Sequence, residues 1–255
     1  MYKELREYQA GDDPRRIHWK ASARTGRVYA KSYEEERMLR VMVALDTSPS
    51  TLFGADQKTL KISQATEFAS LIGTVTEQAH DAFGLATFTD RVNEFTPPKR
   101  EKFRLSKTLG RITNRAQHQR ASETDLRPLL TTLQAQLRHP TLVFILSDFY
   151  CVAPFEQELR TLARKHDVCL VLLQDDLECA LPDSGIVTFT NCEGASDSYY
   201  SIDTSDPAVR AAIKSMQQDH QKAIRICALA CGARFARIDQ SPLTTIEQLA
   251  RGGSR

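Results

Sequence analysis

Asp46, Ser48 and Ser50 stand at alternate positions of the run Asp46-Thr47-Ser48-Pro49-Ser50. In an extended segment that spacing puts one carboxylate and two hydroxyls on the same side of the backbone. Oxygen donors converging at a strand end suit a small hard cation that wants a near-octahedral oxygen cage. The same residue types also cap helices. Capping and cation ligation therefore both stand as readings of these three residues.

The elements that must position them follow an α/β rhythm. Leu39 to Leu45 is an apolar run and reads as a buried strand that ends at Asp46. A helix is predicted from about Gln57 to Ala79, with Leu60, Ala65, Phe68, Ile72 and Val75 at helical spacing. Phe83 to Phe88 and Val92 to Thr96 flank the Thr89-Asp90-Arg91 turn as an antiparallel edge hairpin, stopped by Pro97-Pro98. A basic helix, Glu101 to Ile112, and a polar loop, Thr113 to Glu123, come next. Thr124 opens a helix to about Leu137, and Thr141 to Leu146 is the strongest strand, closing on Ser147-Asp148. A helix (Phe155 to Arg164), a strand (Val168 to Leu173), an added hairpin within about 183–204, a long helix (Pro207 to Cys231), a strand (Arg234 to Ile238) and a short amphipathic helix complete the chain. Strands alternating with helices imply a doubly wound, mainly parallel sheet with helices on both faces. Ligands in such sheets bind at the carboxyl ends of strands where the strand order reverses.

Composition narrows the function classes. The chain has 255 residues, 41% hydrophobic and 26% charged, with a net charge of +2. That balance gives no global pull toward nucleic acid or membrane. The longest apolar runs fall far short of the roughly 20 residues of a membrane helix. Met1 to Arg6 leads straight into charged sequence, which is not a signal-peptide pattern. Six cysteines without a CxxC pair fit a reducing cytoplasm. Residues 1–37 form a basic segment with scattered aromatic anchors; Trp19 is expected to be buried against the sheet domain of residues 38–255 and the segment to be integral to the fold.

Asp46-Thr47-Ser48-Pro49-Ser50 resembles the metal-ion-dependent adhesion site of von Willebrand factor A domains. That resemblance implies two further ligands: a Thr before a later helix, matched by Thr124, and an Asp at the fourth strand's end, matched by Asp148. It implies Mg²⁺ or Mn²⁺ held by Asp46, Ser48, Ser50, Thr124 and Asp148, with one coordination position left for a partner's carboxylate. Two carboxylates largely neutralise such a cation. The positive end of the following helix opposes it, which argues for modest affinity.

A narrower resemblance covers nearly the whole chain. Arg6 to Lys20 (REYQAGDDPRRIHWK), Ala21 to Gly26, Glu34-Glu35-Glu36, Asp176-Leu177-Glu178 and Leu181-Pro182-Asp183 are similar to the hallmark of the bacterial domain-of-unknown-function family fifty-eight. The resemblance implies a non-enzymatic adaptor or co-chaperone of a MoxR-type AAA+ ATPase, with other von Willebrand factor A proteins as further partners. Family members usually carry more sequence before this motif, sometimes membrane helices, so a membrane tether stays open for a longer form. Ser122-Glu123 stands where family members often have glycines.

Two alternatives belong to other classes. Asp46 after a strand could be a phosphotransfer nucleophile in a metal-dependent phosphoester hydrolase. Ser48, however, stands where the second Asp of an Asp-x-Asp pair belongs, and no general acid is evident. The basic stretch 99–115 could bind nucleic acid, but it lacks aromatic interleaving and reads more readily as a solvated or protein-docking face. The six histidines show no metal spacing.

Overall fold

The computed structural model describes residues 2–9, 12–33, 38–53, 60–100, 108–112, 124–179, 181–190, 199–238 and 242–252. The chain divides into two compact units, Met1–Met38 and Leu39–Arg255.

In the first unit, strands β1 (Tyr2–Glu7) and β2 (Tyr29–Tyr33) pair antiparallel. Between them lie a 3-10 turn, Pro14–Arg16, and helix α1 (Trp19–Thr25). This helix is a departure from the sequence reading, which found no helical period there. Seven residues are too few to display one. The caps define it: His18 Nδ1 accepts from the Ala21 N–H, and Gly26 closes it at φ 72°. Trp19 is its first residue.

In the second unit, six strands run in the order β10-β7-β6-β3-β4-β5. They are β3 (Arg40–Asp46), β4 (Ala82–Phe88), β5 (Val92–Lys99), β6 (Leu142–Ser147), β7 (Asp167–Leu173) and β10 (Arg234–Ile238). All neighbours are parallel except β4 and β5. Strands β8 (Ile186–Thr190) and β9 (Tyr199–Asp203) form the expected separate hairpin. The fold is the predicted doubly wound, von Willebrand factor A-like α/β class.

Alternation along β3 divides the core. Met42 and Ala44 face one apolar cluster; Val41, Val43 and Leu45 face the other. The first is covered by α3 (Leu126–Gln136), α4 (Glu156–Ala163) and, after a short α5 (Asp176–Cys179), the long α6 (Pro207–Ala230). The second is covered by α2 (Lys61–Gln78), the helical residues 108–112 and α7 (Pro242–Gly252). Fully buried strands need no polar face, which is why β3, β6 and β7 read as continuous apolar runs. Among the described residues no helix is long and apolar enough to cross a membrane.

Strand β5 runs through Pro97-Pro98 instead of stopping before it. It is the edge strand, where a residue without an N–H loses no obligatory ladder bond. Its approach to β4 is close. A Cβ on Gly84 would lie 2.7 Å from the Pro98 nitrogen, 2.8 Å from the Thr96 carbonyl oxygen and 2.9 Å from Met42 Sδ. Two of these neighbours are backbone and cannot swing aside. Gly84→Ala is expected to lower stability by about 1–3 kcal/mol; an unchanged urea midpoint would contradict this close approach. The predicted Glu101 to Ile112 helix is described only at 108–112, and the loop 113–123 lies outside the described residues.

Candidate functional site

The strand order reverses between β3 and β6. Val41 to Leu45 pair in register with Leu142 to Leu146, so Asp46 and the Ser147-Asp148 corner emerge side by side. Asp46 Oδ1 accepts from the Ser48 N–H at 2.8 Å, and its Oδ2 accepts from the Ser147 hydroxyl at 2.6 Å. Ser147 is thus the residue that locks the two strand ends together, a role the sequence did not disclose.

Ser48 occupies the N-cap position of the 3-10 turn Pro49–Leu52, yet its hydroxyl makes no cap bond. It lies 3.0 Å from the Ser50 hydroxyl instead. Thr124 is held from two sides. It bridges to Cys151, Val152 N–H donates to its carbonyl at 3.1 Å, and the next residue's N–H donates to the Thr89 carbonyl. Asp125, not Thr124, caps α3 through the Arg127 N–H. The capping reading therefore fails for the hydroxyls of both Ser48 and Thr124.

Asp46, Ser48, Thr124 and Asp148 are all buried, and Ser50 is half-buried. Thr124 Oγ1 is fully buried and finds no hydrogen-bond partner among the described residues. An unsatisfied buried hydroxyl is unfavourable by about 1–3 kcal/mol, so native folds rarely keep one without a use for it. Burial, reinforced by the neighbouring charge of Asp148, pushes the Asp46 carboxyl up to about 7 against the pull of its hydrogen bonds. The acid pair is short of positive charge.

One cation already sits at the site. Lys61, the first residue of α2, is 1% exposed, and its Nζ donates to Asp148 Oδ2 at 3.1 Å. The same ammonium lies 2.7 Å from Glu178 Oε1. Burial works against its charge, but the two carboxylates outweigh that and raise its pKa. For Glu178 the balance is opposite: burial outweighs the pull of Lys61 and raises the carboxyl. The directions differ because Lys61 has two anionic partners, whereas Glu178 shares its one cation with Asp148. Sequence reasoning missed Lys61 altogether. Glu178 stood in the family-like Asp176-Leu177-Glu178 motif without a role.

The second turn of the site is tied to α6. His220 Nε2 lies 2.7 Å from the Asp148 carbonyl oxygen, its ring stacks on Tyr150 at 4.0 Å, and Tyr150 donates to Gln217 Oε1. Phe149, between Asp148 and Tyr150, adopts φ 58°, a left-handed conformation that bulky residues rarely hold. Such strain persists only where surrounding contacts over-determine it. The nearby Cys151 thiol is driven well above its usual range by burial and by Asp46 and Asp148. Burial and these charges favour its protonated form.

The donor chemistry fits a hard divalent cation. All five predicted residues offer oxygen, two of them as carboxylates, and the Thr124 hydroxyl has no hydrogen-bond partner among the described residues. With all three carboxylates ionised, Asp46, Asp148 and Glu178 against Lys61 leave a residual charge of −2, one divalent ion's worth. Among the described residues no group of three or more His, Cys, Asp or Glu side chains is set to hold a metal; a cation at this corner would draw on hydroxyls beside the two carboxylates.

The fold is that of a doubly wound α/β domain whose candidate site lies where the strand order reverses. The chain belongs to the family described as "Protein of unknown function DUF58", whose model matches residues 4–223. It is 25% identical over 233 residues to the uncharacterized protein Rv1480 of Mycobacterium tuberculosis, covering 90% of this chain and 71% of that one. Two solved structures share the fold. An aerotolerance-related membrane protein from Bacteroides fragilis has a TM-score of 0.51 at 11% identity, and BatB from Bacteroides thetaiotaomicron has 0.50 at 12%. Each comparison covers 84% of this chain and 99% of the other.

Proposed function

We propose that the domain is a non-enzymatic protein-binding module that engages a partner's carboxylate through a divalent cation, Mg²⁺ or Mn²⁺. The observation that carries this reading is the buried Thr124 hydroxyl, without a hydrogen-bond partner among the described residues, on a residue that bridges to Cys151 just beyond the Asp148 strand end. Asp46 and Asp148 supply the charge; Ser48, Ser50 and Thr124 supply neutral oxygens. A bound cation would supply a Lewis-acidic point of attachment for an incoming carboxylate. Ser147 and the Ser48 N–H hold Asp46 from behind, and His220 holds the Asp148 backbone.

Ser48 stands where the second Asp of an Asp-x-Asp pair belongs, which speaks against Asp46 as a phosphotransfer nucleophile. Of the basic stretch 99–115, Arg111 forms a solvent-exposed ion pair with Glu94 at 3.1 Å.

The partner that the family resemblance implies is a MoxR-type AAA+ ATPase, with other von Willebrand factor A proteins as further candidates. Interferometry with the host's own MoxR-type ATPase is the test. Binding is expected with Mg²⁺ or Mn²⁺ and is expected to vanish with chelator and in Asp46→Ala. Ser50→Ala should weaken it less, since water can replace one half-exposed neutral donor. Equal binding with and without chelator would overturn metal dependence, and no binding at all would remove this partner.

A further inference from the structure

We propose that Lys61 is a resident competitor of the metal at this site. Its ammonium holds Asp148 in the metal-free domain, and Glu178 takes that ammonium over when a divalent cation claims Asp148. The inference rests on the metal-binding reading above and names how that site is regulated.

Three observations place Lys61 there for a reason other than packing. A lysine is almost never fully buried unless paired, and Lys61, 1% exposed, is paired among the described residues with two carboxylates. It also opens α2, where the helix dipole disfavours a cation, and no acidic residue in the first turn offsets it. Thirdly, its anchorage is split between two acids of unequal duty. Asp148 belongs to the candidate metal set. Glu178 does not, and it is itself fixed, since its second oxygen accepts from the Asp175 N–H at 3.2 Å. The shorter contact is to Glu178, 2.7 Å against 3.1 Å. A small shift of one ammonium therefore frees Asp148 without leaving Lys61 unpaired.

Like charges on a shared carboxylate compete, so the arrangement sets metal affinity through two opposed levers. Removing Lys61 removes the competitor. Removing the Glu178 charge leaves Lys61 with Asp148 alone and strengthens the competition. A residue that merely packs would shift affinity in one direction whichever partner was changed.

The test is calorimetric titration of the folded chain with Mn²⁺ alone, with a metal-free melting curve for each variant. Lys61→Met is expected to bind Mn²⁺ about tenfold or more tightly than wild type, and Glu178→Gln about tenfold or more weakly. Should Lys61→Met melt too low to titrate, the double variant Lys61→Met with Glu178→Leu replaces the pair by apolar groups. It also lacks the competitor and should still bind more tightly than wild type. Wild-type binding with no tightening in either Lys61 variant overturns the inference and leaves the metal site standing. Weakening in both single variants likewise overturns it. No Mn²⁺ binding in any variant, Lys61→Met included, overturns the metal-site reading itself.

Discussion

Lys61→Ala is expected to destabilise the metal-free domain by about 3–5 kcal/mol. Truncation removes the ammonium that faces Asp148 and Glu178 and leaves both carboxylates without it in low-dielectric surroundings. It also opens a void beside the Phe53 ring, whose centroid lies 5.9 Å from the ammonium. Against a total stability of about 5–15 kcal/mol, this loss is large enough to read as a clear drop in urea midpoint. Divalent metal should recover part of it, because a bound cation restores positive charge to Asp148. A midpoint within experimental error of wild type would mean that the buried triad does not form.

Asp46→Asn is expected to separate stability from binding. Asn keeps an oxygen for the Ser48 N–H and offers an amide to the Ser147 hydroxyl, so the geometry of the strand ends survives. It removes a buried charge that is repelled by Asp148. The metal-free variant should therefore melt no lower than wild type. Its response to metal should disappear. For wild type, metal at 100 times its dissociation constant should add about 2.7 kcal/mol, and Asp46→Asn should gain nothing measurable at the same concentration. A variant that melts lower without metal yet still gains stability with it would show that Asp46 is a structural residue only.

Much of the fold was legible because its signals are local and repeated. Apolar runs without alternation marked β3, β6 and β7 as doubly covered strands, and helical spacing marked α2. What stayed hidden depends on tertiary context. Pro97 and Pro98 looked like a stop because proline breaks central ladders; only the sheet order shows β5 at the edge.

The same divide runs through the site. The five oxygen donors were visible because their spacing along the chain matches a known pattern. Ser147 and Lys61 were not, because their roles are set by partners 101 and 87 residues away. A lysine at the start of an amphipathic helix is ordinarily solvated, and nothing in the sequence marks this one as buried.

The central claim is that the Thr124 hydroxyl, buried without a partner among the described residues, belongs to a cation site. Calorimetric titration of Mn²⁺ into wild type and Thr124→Val tests it most directly, because valine keeps the shape and removes only the oxygen. Loss of an outer-shell partner of a metal ligand already weakens binding about 10- to 100-fold, so loss of a direct donor should weaken it by about tenfold or more. The metal-free variant should be at least as stable as wild type, since a buried orphan hydroxyl is gone. Equal Mn²⁺ affinity in the two proteins, or lower metal-free stability in Thr124→Val, would contradict the account.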